Sequence, residues 1–289
     1  MQIFYKKSSL GLIRLILTYW KDYELIDSGN GKKFERFGEI KLIRPELIAS
    51  WRPEKTDWQA DAEFDAETKV WRFNKEISKT WQIFYKYKDL EFKIFLEISD
   101  GTKQIGVFPE QMRNWGFIFD EIRKEKFKNP QVLNLFGYSG VSSIVSKFSG
   151  GKVTHVDSSS HAISLAQKNA EINGISDIRW MKDDSEKFLE KEFRRKKFYD
   201  FVILDPPSFG KGTSSSYFKI NKNFEALVYA VSKILKHKGI VILSLHSKNF
   251  NEQIVKKVLA KFFQTNNIHF GDLEIGKINF GRYFWIKTV

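Results

Sequence analysis

The sequence predicts an α/β protein. Its second half reads as a doubly wound, mostly parallel sheet closed by an antiparallel hairpin, and a small antiparallel β region precedes it. Three observations predict this. From residue 130, short apolar runs alternate with helical periodicity, as parallel strands joined by crossover helices do. The last two runs, Ile268–Ile275 and Tyr283–Lys287, have no helix between them and so pair antiparallel. Residues 22–108 carry short strand-like stretches punctuated by turn signals.

The elements follow in order. Residues 1–21 form an N-terminal extension in which Lys6 and Lys7 precede the apolar stretch Leu10–Trp20. Arg14 interrupts that stretch, no small-residue cleavage site follows it, and it is too short to span a bilayer. It reads as a short helix packed on the body, with a membrane anchor as the alternative.

In the β region, Leu25-Ile26-Asp27 runs into the turn Ser28-Gly29-Asn30-Gly31, and Ile40–Arg44 stops at Pro45. Asp61–Trp71, Thr80–Lys86 and Glu91–Glu97 continue the pattern, the last two joined across Tyr87-Lys88-Asp89. Trp51, Trp58, Trp71 and Trp81 are expected to form a small aromatic core rather than a platform for stacking bases. Gln111–Lys124 is expected to be helical within a linking segment, residues 109–129.

Residues 130–289 form the catalytic domain in this reading. Its strands are Val132–Leu135, Lys152–Val156, Ile178–Met181, Phe201–Leu204 and Ile240–Leu245. Helices are expected after Gly140, over Ala162–Ile172, and around 185–194 and 223–236.

Composition narrows the function. The chain has 289 residues, 42% hydrophobic and 29% charged, an ordinary globular balance. Its formal charge of +13 favours a polyanionic partner, nucleic acid before an anionic membrane, with a lysine-rich proteome as the plain alternative. There is no cysteine, which excludes disulfides, thiolate metal sites and a cysteine nucleophile. His155, His161, His237, His246 and His269 show no ligand spacing, so no metal site is expected. With no other long apolar run, a cytoplasmic location is expected.

Four strand ends carry the candidate site. The first ends in Asn134-Leu135-Phe136-Gly137-Tyr138-Ser139-Gly140, where two glycines let the backbone approach a ligand at a helix N-terminus. The candidates there are Asn134, Phe136, Gly137, Tyr138 and Gly140. The second ends in Val156-Asp157, followed by Ser158. Asp157 can accept both hydroxyls of an adenosine ribose, or cap the following helix. The third ends in Lys182-Asp183-Asp184-Ser185, where Asp184, or failing it Asp183, can accept from an adenine amino group; helix capping is the competing role. Ser185 belongs to the same candidate set.

The fourth, Leu204-Asp205-Pro206-Pro207-Ser208-Phe209-Gly210, is the most specific. Two prolines keep the backbone extended, so that the Asp205 carboxylate and the Pro206 carbonyl face one pocket. Both are acceptors suited to an amino group, and Phe209 can stack on a planar base. All four sites lie where open α/β sheets bind ligands.

From Tyr23 to its end the chain resembles the SAM-dependent methyltransferase family that includes bacterial 23S rRNA cytosine-C5 methyltransferases. The resemblance rests on Tyr23–Gly31, Leu133–Gly140, Val156-Asp157 with Asn169-Ala170 and Asn173-Gly174, Leu204–Phe209 and Phe218-Lys219-Ile220. Gly106-Val107-Phe108-Pro109-Glu110-Gln111 resembles the family's segment joining the β domain to the cofactor domain. The resemblance implies a Rossmann-like class I methyltransferase sheet, S-adenosylmethionine as methyl donor and RNA as acceptor. One departure bears on chemistry. C5 methylation of cytosine needs a thiolate to attack C6. Where such relatives carry Ser-Cys on the fifth strand, this chain reads Ser244-Leu245-His246-Ser247, and it has no cysteine at all.

The expected reaction is therefore methyl transfer to a nitrogen of an RNA base, ribosomal RNA first. Asp205 and Pro206 hold the acceptor, with Pro207 shaping the turn. Asp205 also borders the cofactor. Lys211, Lys219, Lys222 and Lys248 follow the fourth and fifth strands and are expected on the rim, facing phosphates. Arg194-Arg195-Lys196-Lys197 enters the fourth strand at its far end and reads as a solvated patch. A protein or small-molecule acceptor, and a non-catalytic SAM- and RNA-binding assembly factor, are the competing readings. The sequence leaves the oligomeric state open.

Overall fold

The computed structural model describes residues 20–124, 127–207, 209–211, 217–246 and 251–289, and for 209–211 and 217–222 the backbone alone. The expected N-terminal helix lies, except for Trp20, outside the described residues.

Strand β1 (Tyr23–Gly29) turns through Asn30-Gly31 into β2 (Lys32–Phe37). Both turn residues have positive φ, 51° and 76°, the backbone of a two-residue hairpin turn that Asn-Gly adopts readily. Strand β3 (Ile40–Pro45) adds antiparallel to β2. The stretch Asp61–Trp71, read as one strand, is instead a turn between two short strands, β4 (Ala62–Phe64) and β5 (Trp71–Phe73). Asp65 makes that turn by accepting from the backbone N–H groups of Glu67 and Thr68. β4 pairs parallel to β3, so this five-stranded sheet is not wholly antiparallel. β6 (Thr80–Tyr87) and β7 (Leu90–Glu97) form a separate hairpin.

The four tryptophans do not form one core. Trp71 and Trp81 pack on the main hydrophobic cluster, and Trp58 on a small one with Phe34 and Ile43. Each indole N–H finds an acceptor: Trp51 on Ser28 O, Trp58 on Asp27 Oδ2, Trp71 on Thr102 O and Trp81 on Phe37 O. They act as staples between segments, apolar at one end and hydrogen-bonded at the other.

A single 3-10 turn, Pro109–Gln111, leads into α1 (Met112–Ile122). Then follow β8 (Gln131–Leu135), α2 (Val141–Phe148), β9 (Lys152–Asp157), α3 (Ser160–Ile172), β10 (Arg179–Lys182), α4 (Ser185–Arg194) and β11 (Tyr199–Leu204). A short hairpin of β12 (Phe209–Lys211) and β13 (Tyr217–Lys219) precedes α5 (Ile220–Ile234) and β14 (Leu235–Leu245). The chain ends with α6 (Glu252–Phe263), β15 (Ile268–Ile275) and β16 (Ile278–Lys287). The β12–β13 hairpin and α6 are additions to the sequence reading.

The main sheet has the order β10-β9-β8-β11-β14-β16-β15. β10, β9, β8, β11 and β14 run parallel, and β16 is antiparallel to both its neighbours. Alternation of side chains divides the core into two layers. Phe201, Ile203, Ile240 and Ile242 face α1, α2 and the β region, whereas Val202, Leu204, Val241 and Leu243 face α4, α5 and α6. The first layer is continuous from Trp20 through the β region to Ile242.

Helix α3 is tied to β7 by side chains rather than by packing alone. Asn173 accepts from Lys93 N and donates to Lys93 O, both at 2.8 Å. Asn169 accepts from Phe95 N at 2.7 Å and donates to Ser139 O at 2.8 Å. These amides satisfy backbone groups of β7 that its hairpin partner leaves open. Asn169 thereby connects the β6–β7 hairpin to the loop after β8. Among the described residues no helix is long and apolar enough to cross a membrane.

Candidate active site

The order of the main sheet reverses at β8: the chain passes outward through β9 and β10, then returns to the other side of β8 with β11. Such a switch point opens a crevice at the carboxyl ends of the strands. A cavity of about 460 Å³ lies there. Phe136, Tyr138, Asp157, Ser158, Asp205, Pro207 and His246 line it from the sheet side, and Lys33, Arg44, Lys103, Phe108 and Glu110 from the opposite side. A smaller hollow of about 40 Å³ adjoins it, bordered by Gln111, Asn134, Gly137 and Ser244 and sharing Phe136, Tyr138 and Asp205.

The loop after β8 is shaped by internal packing as much as by any ligand. Phe136 and Tyr138 both adopt positive φ, 57° and 46°, a conformation uncommon for bulky residues and typical of functional turns. A Cβ on Gly137 would stand 2.4 Å from His155 Cε1, and one on Gly140 would stand 2.8 Å from the Ala166 Cβ. The glycines thus admit His155 and α3, where the sequence suggested ligand approach. Gly140 also caps α2 in the left-handed region, with φ 78°. Neither Gly140 nor Pro206 lines either cavity.

Behind the loop, Asn134 is buried and donates to Ser143 Oγ at 2.9 Å, which in turn sits 3.0 Å from His155 Nδ1. Burial pushes the His155 imidazole down to about 3, so it packs as a neutral ring.

Asp157 ends β9 at the cavity. Its Oδ2 accepts from Tyr138 N at 3.0 Å and its Oδ1 from Ser159 N at 2.8 Å. It therefore fixes the β8 loop directly, a link between the first two strand ends that spacing alone does not reveal. The cap of α3 itself is Ser159, which accepts from Ala162 N. Each Asp157 oxygen takes one described N–H and keeps a lone pair.

The third strand end behaves otherwise. Asp184 caps α4, its Oδ1 accepting from Glu186 N and Lys187 N. Asp183 pairs with Lys191 at 2.6 Å. Asp184 and Ser185 border neither cavity, and the cap uses one Asp184 oxygen for both N–H groups.

The most connected group is Asp205. Oδ1 meets His246 Nε2 at 2.8 Å, and Oδ2 accepts from Gln111 Nε2 at 3.0 Å. His246 Nδ1 lies 3.2 Å from Phe280 O. Gln111 Oε1 accepts from Asn114 Nδ2 at 2.7 Å and from Ser244 Oγ at 3.1 Å, and Asn114 Oδ1 accepts from Trp285 Nε1 at 2.8 Å. Burial disfavours a charged imidazole at His246, yet the Asp205 carboxylate, its hydrogen bond and Glu110 outweigh that and push the ring up to about 9. His246 is then an imidazolium at neutral pH and donates from both nitrogens. Burial raises the neighbouring Glu110 carboxyl above its ordinary range, with Lys33 and His246 pulling the other way.

Sequence reasoning did not assign Gln111, Glu110 or His246 to the site. Gln111 and Glu110 stood in the quoted joining segment, and His246 in the fifth-strand stretch Ser244–Ser247; each meets the site only through long-range contact. Phe209, Lys211, Lys219 and Lys222 have only their backbones described, and Lys248 lies outside the described residues, so the stacking and rim readings are not located. Arg194, Arg195 and Lys196 are exposed at the amino end of β11, away from the cavity.

Three comparisons bear on this arrangement. Residues 106–270 match the family described as Conserved hypothetical protein 95. The crystal structure of a SAM-dependent methyltransferase from Agrobacterium tumefaciens superposes with a TM-score of 0.83 at 30% identity, over 92% of this chain and 90% of that one. Among curated relatives, Ribosomal RNA large subunit methyltransferase K/L of Pseudoalteromonas translucida is 31% identical over 131 residues, 44% of this chain and 18% of the relative. Putative ribosomal RNA large subunit methyltransferase YwbD of Bacillus subtilis is 25% identical over 184 residues, 62% of this chain and 44% of the relative. The chain spans less than half the length of these curated relatives.

Proposed function

Because the chain belongs to the Conserved hypothetical protein 95 family and is a SAM-dependent methyltransferase, we propose that its acceptor is a nitrogen of an RNA base, in ribosomal RNA. The observation that carries this reading is the Asp205 carboxylate, held from two sides by Gln111 and His246 at the cavity. The names of the ribosomal RNA methyltransferases it resembles, the charge of +13 and the absence of cysteine support RNA and a nitrogen over C5 of cytosine.

The residues present fit the cofactor. The cavity is large enough for a nucleoside-sized ligand, and Asp157 keeps an acceptor lone pair on each oxygen for ribose hydroxyls. Phe136 and Tyr138 border the same space, with Asn134 and Gly137 at the smaller hollow. When bound, SAM supplies an electrophilic methyl group on a sulfonium. The protein's part is then alignment and proton handling.

Asp205 accepts from an N–H of the incoming amino group and orients its lone pair for methyl transfer. His246 and Gln111 fix the carboxylate, each leaving it a lone pair for substrate. Bound SAM would supply the methyl group, and Asp205 would take the proton that the acceptor nitrogen gives up. A protonated His246 serves there as orienting donor and counter-charge, not as the base.

In this reading residues 130–289 are the catalytic domain, 22–108 a β domain that closes the cleft, and 109–129 the link that brings Glu110 and Gln111 into it. A base within a duplex must be unstacked to reach the cavity. With ribosomal RNA as acceptor, the place of action is the cytoplasm. The test is methyl transfer to RNA by the Asp205→Ala variant. Loss of turnover with S-adenosylhomocysteine binding retained is expected, and normal turnover would remove Asp205 from its role.

A further inference from the structure

The cavity wall facing the strand ends is cationic. Lys33, Arg44 and Lys103 all border it, together with Glu46. Behind them Glu35 is fully buried. Its Oε2 takes Arg44 Nε and Nη2 at 2.9 and 2.7 Å, and its Oε1 takes the Tyr23 hydroxyl at 3.1 Å and faces Lys33 Nζ at 3.4 Å. Four donors thus converge on Glu35, which leaves it no capacity for a further cation.

Lys103 is placed differently. Its Nζ donates to Pro45 O at 2.8 Å, a neutral acceptor, and among the described residues it makes no ion pair. Burial holds its ammonium below the ordinary lysine range; Glu46, from beyond pairing distance, opposes that most, Lys33 and Arg44 add to it, and Glu35 opposes it weakly. The wall therefore sets Lys33, Arg44 and Lys103 against Glu35, Glu46 and Glu110, the last held toward its neutral form by burial. A half-buried ammonium without a counter-ion, beside two other cations and open to a cavity, is unfavourable until an anion joins it.

We infer that this wall is an anion subsite of the cleft, in which Lys103 Nζ donates to a carboxylate or phosphate oxygen and Lys33 and Arg44 supply the surrounding field. Two sources offer that chemistry: the amino-acid carboxylate of the cofactor, and a phosphate of the acceptor strand. The second rests on the RNA reading above. The subsite shares its cavity with Asp157 and Asp205, so a ligand reaching either carboxylate lies within the same space.

The test compares S-adenosylhomocysteine with its decarboxylated analogue by titration calorimetry, on the wild type and on the Lys103→Met and Lys103→Arg variants. If the cofactor carboxylate is the ligand, the wild type prefers the carboxylate-bearing molecule by about ten- to hundredfold, the range of a charge-assisted hydrogen bond. Lys103→Met abolishes that preference and Lys103→Arg keeps most of it. If a phosphate is the ligand, the two cofactor analogues bind alike. Lys103→Met then weakens binding of a single-stranded oligoribonucleotide about tenfold and lowers its salt slope by about one.

Two measurements on the wild type alone hold even should a variant fail to fold: the ratio between the two analogues, and competition of the oligoribonucleotide by inorganic phosphate. A wild type that shows neither a carboxylate preference nor such competition overturns the subsite. So does a folded Lys103→Met that changes neither affinity. Failure of the RNA reading alone leaves the cofactor comparison intact.

Discussion

His246 Nε2 stands 2.8 Å from Asp205 Oδ1 while its Nδ1 faces the Phe280 carbonyl at 3.2 Å, so both ring nitrogens meet acceptors. Only the imidazolium donates to both, which agrees with a ring pushed up to about 9. The site thus carries a paired positive charge next to the carboxylate assigned to the acceptor.

The pair makes stability depend on pH. The folded pKa of His246, about 9, lies above the ordinary histidine value of about 6.5. Its stabilisation is therefore fully present below about pH 6.5 and is lost as pH rises through about 9. A quarter of the side chain is exposed, so solvent screening reduces the effect to on the order of 2 kcal/mol. Urea unfolding of the wild type and His246→Gln across this window checks it: the gap between the two is expected to shrink with rising pH, and a constant gap contradicts it.

Asp205→Asn keeps the shape and removes the charge. Turnover is expected to fall by about a hundredfold or more, a typical loss for a positioned acid–base group. In the same variant the His246 ring should titrate well below its wild-type value, since its main charge partner is gone. Nuclear magnetic resonance of labelled histidine reads the second effect without any substrate, and an unchanged titration would show that Asp205 does not hold the ring charged.

Gly137→Ala is expected to destabilise the fold by about 1–3 kcal/mol through overpacking, because its Cβ meets His155 at 2.4 Å. Trimming the neighbour should relieve it. A double-mutant cycle with His155→Ala is expected to show favourable coupling; strictly additive costs would mean that the clash is absorbed elsewhere.

Asp157→Ala removes the acceptor of both Tyr138 N and Ser159 N. Affinity for S-adenosylhomocysteine is expected to drop at least about tenfold, from lost ribose contacts and a loosened loop together, at about 1–3 kcal/mol per unsatisfied group. Calorimetry decides this, and an unchanged affinity would separate Asp157 from cofactor binding.

How much of this was legible in the sequence depends on the range of the interaction. Phe201 to Leu204 and Ile240 to Leu243 reveal strands because their neighbours are buried on both faces. Asn30-Gly31 and Asn251, the latter the cap of α6, are local signals, and behind the second Val255, Leu259 and Phe263 repeat at helical spacing. The parallel pairing of β4 with β3 has no local signature, since it joins strands across an intervening loop. Gln111 and His246 reach Asp205 across 94 and 41 positions, so no motif window contains the triad. Asp184 was ambiguous for a physical reason: one carboxylate at a strand end suits both an adenine amino group and two helix N–H groups, and only the fold decides.

Methyl transfer to a base nitrogen in RNA is tested most directly with the wild-type protein, labelled SAM and total RNA from cells lacking this gene. Digestion of the RNA to nucleosides is expected to yield label in an N-methylated nucleoside, recovered from ribosomal RNA. Label in C5-methylcytosine, in protein, or in neither fraction would contradict the account.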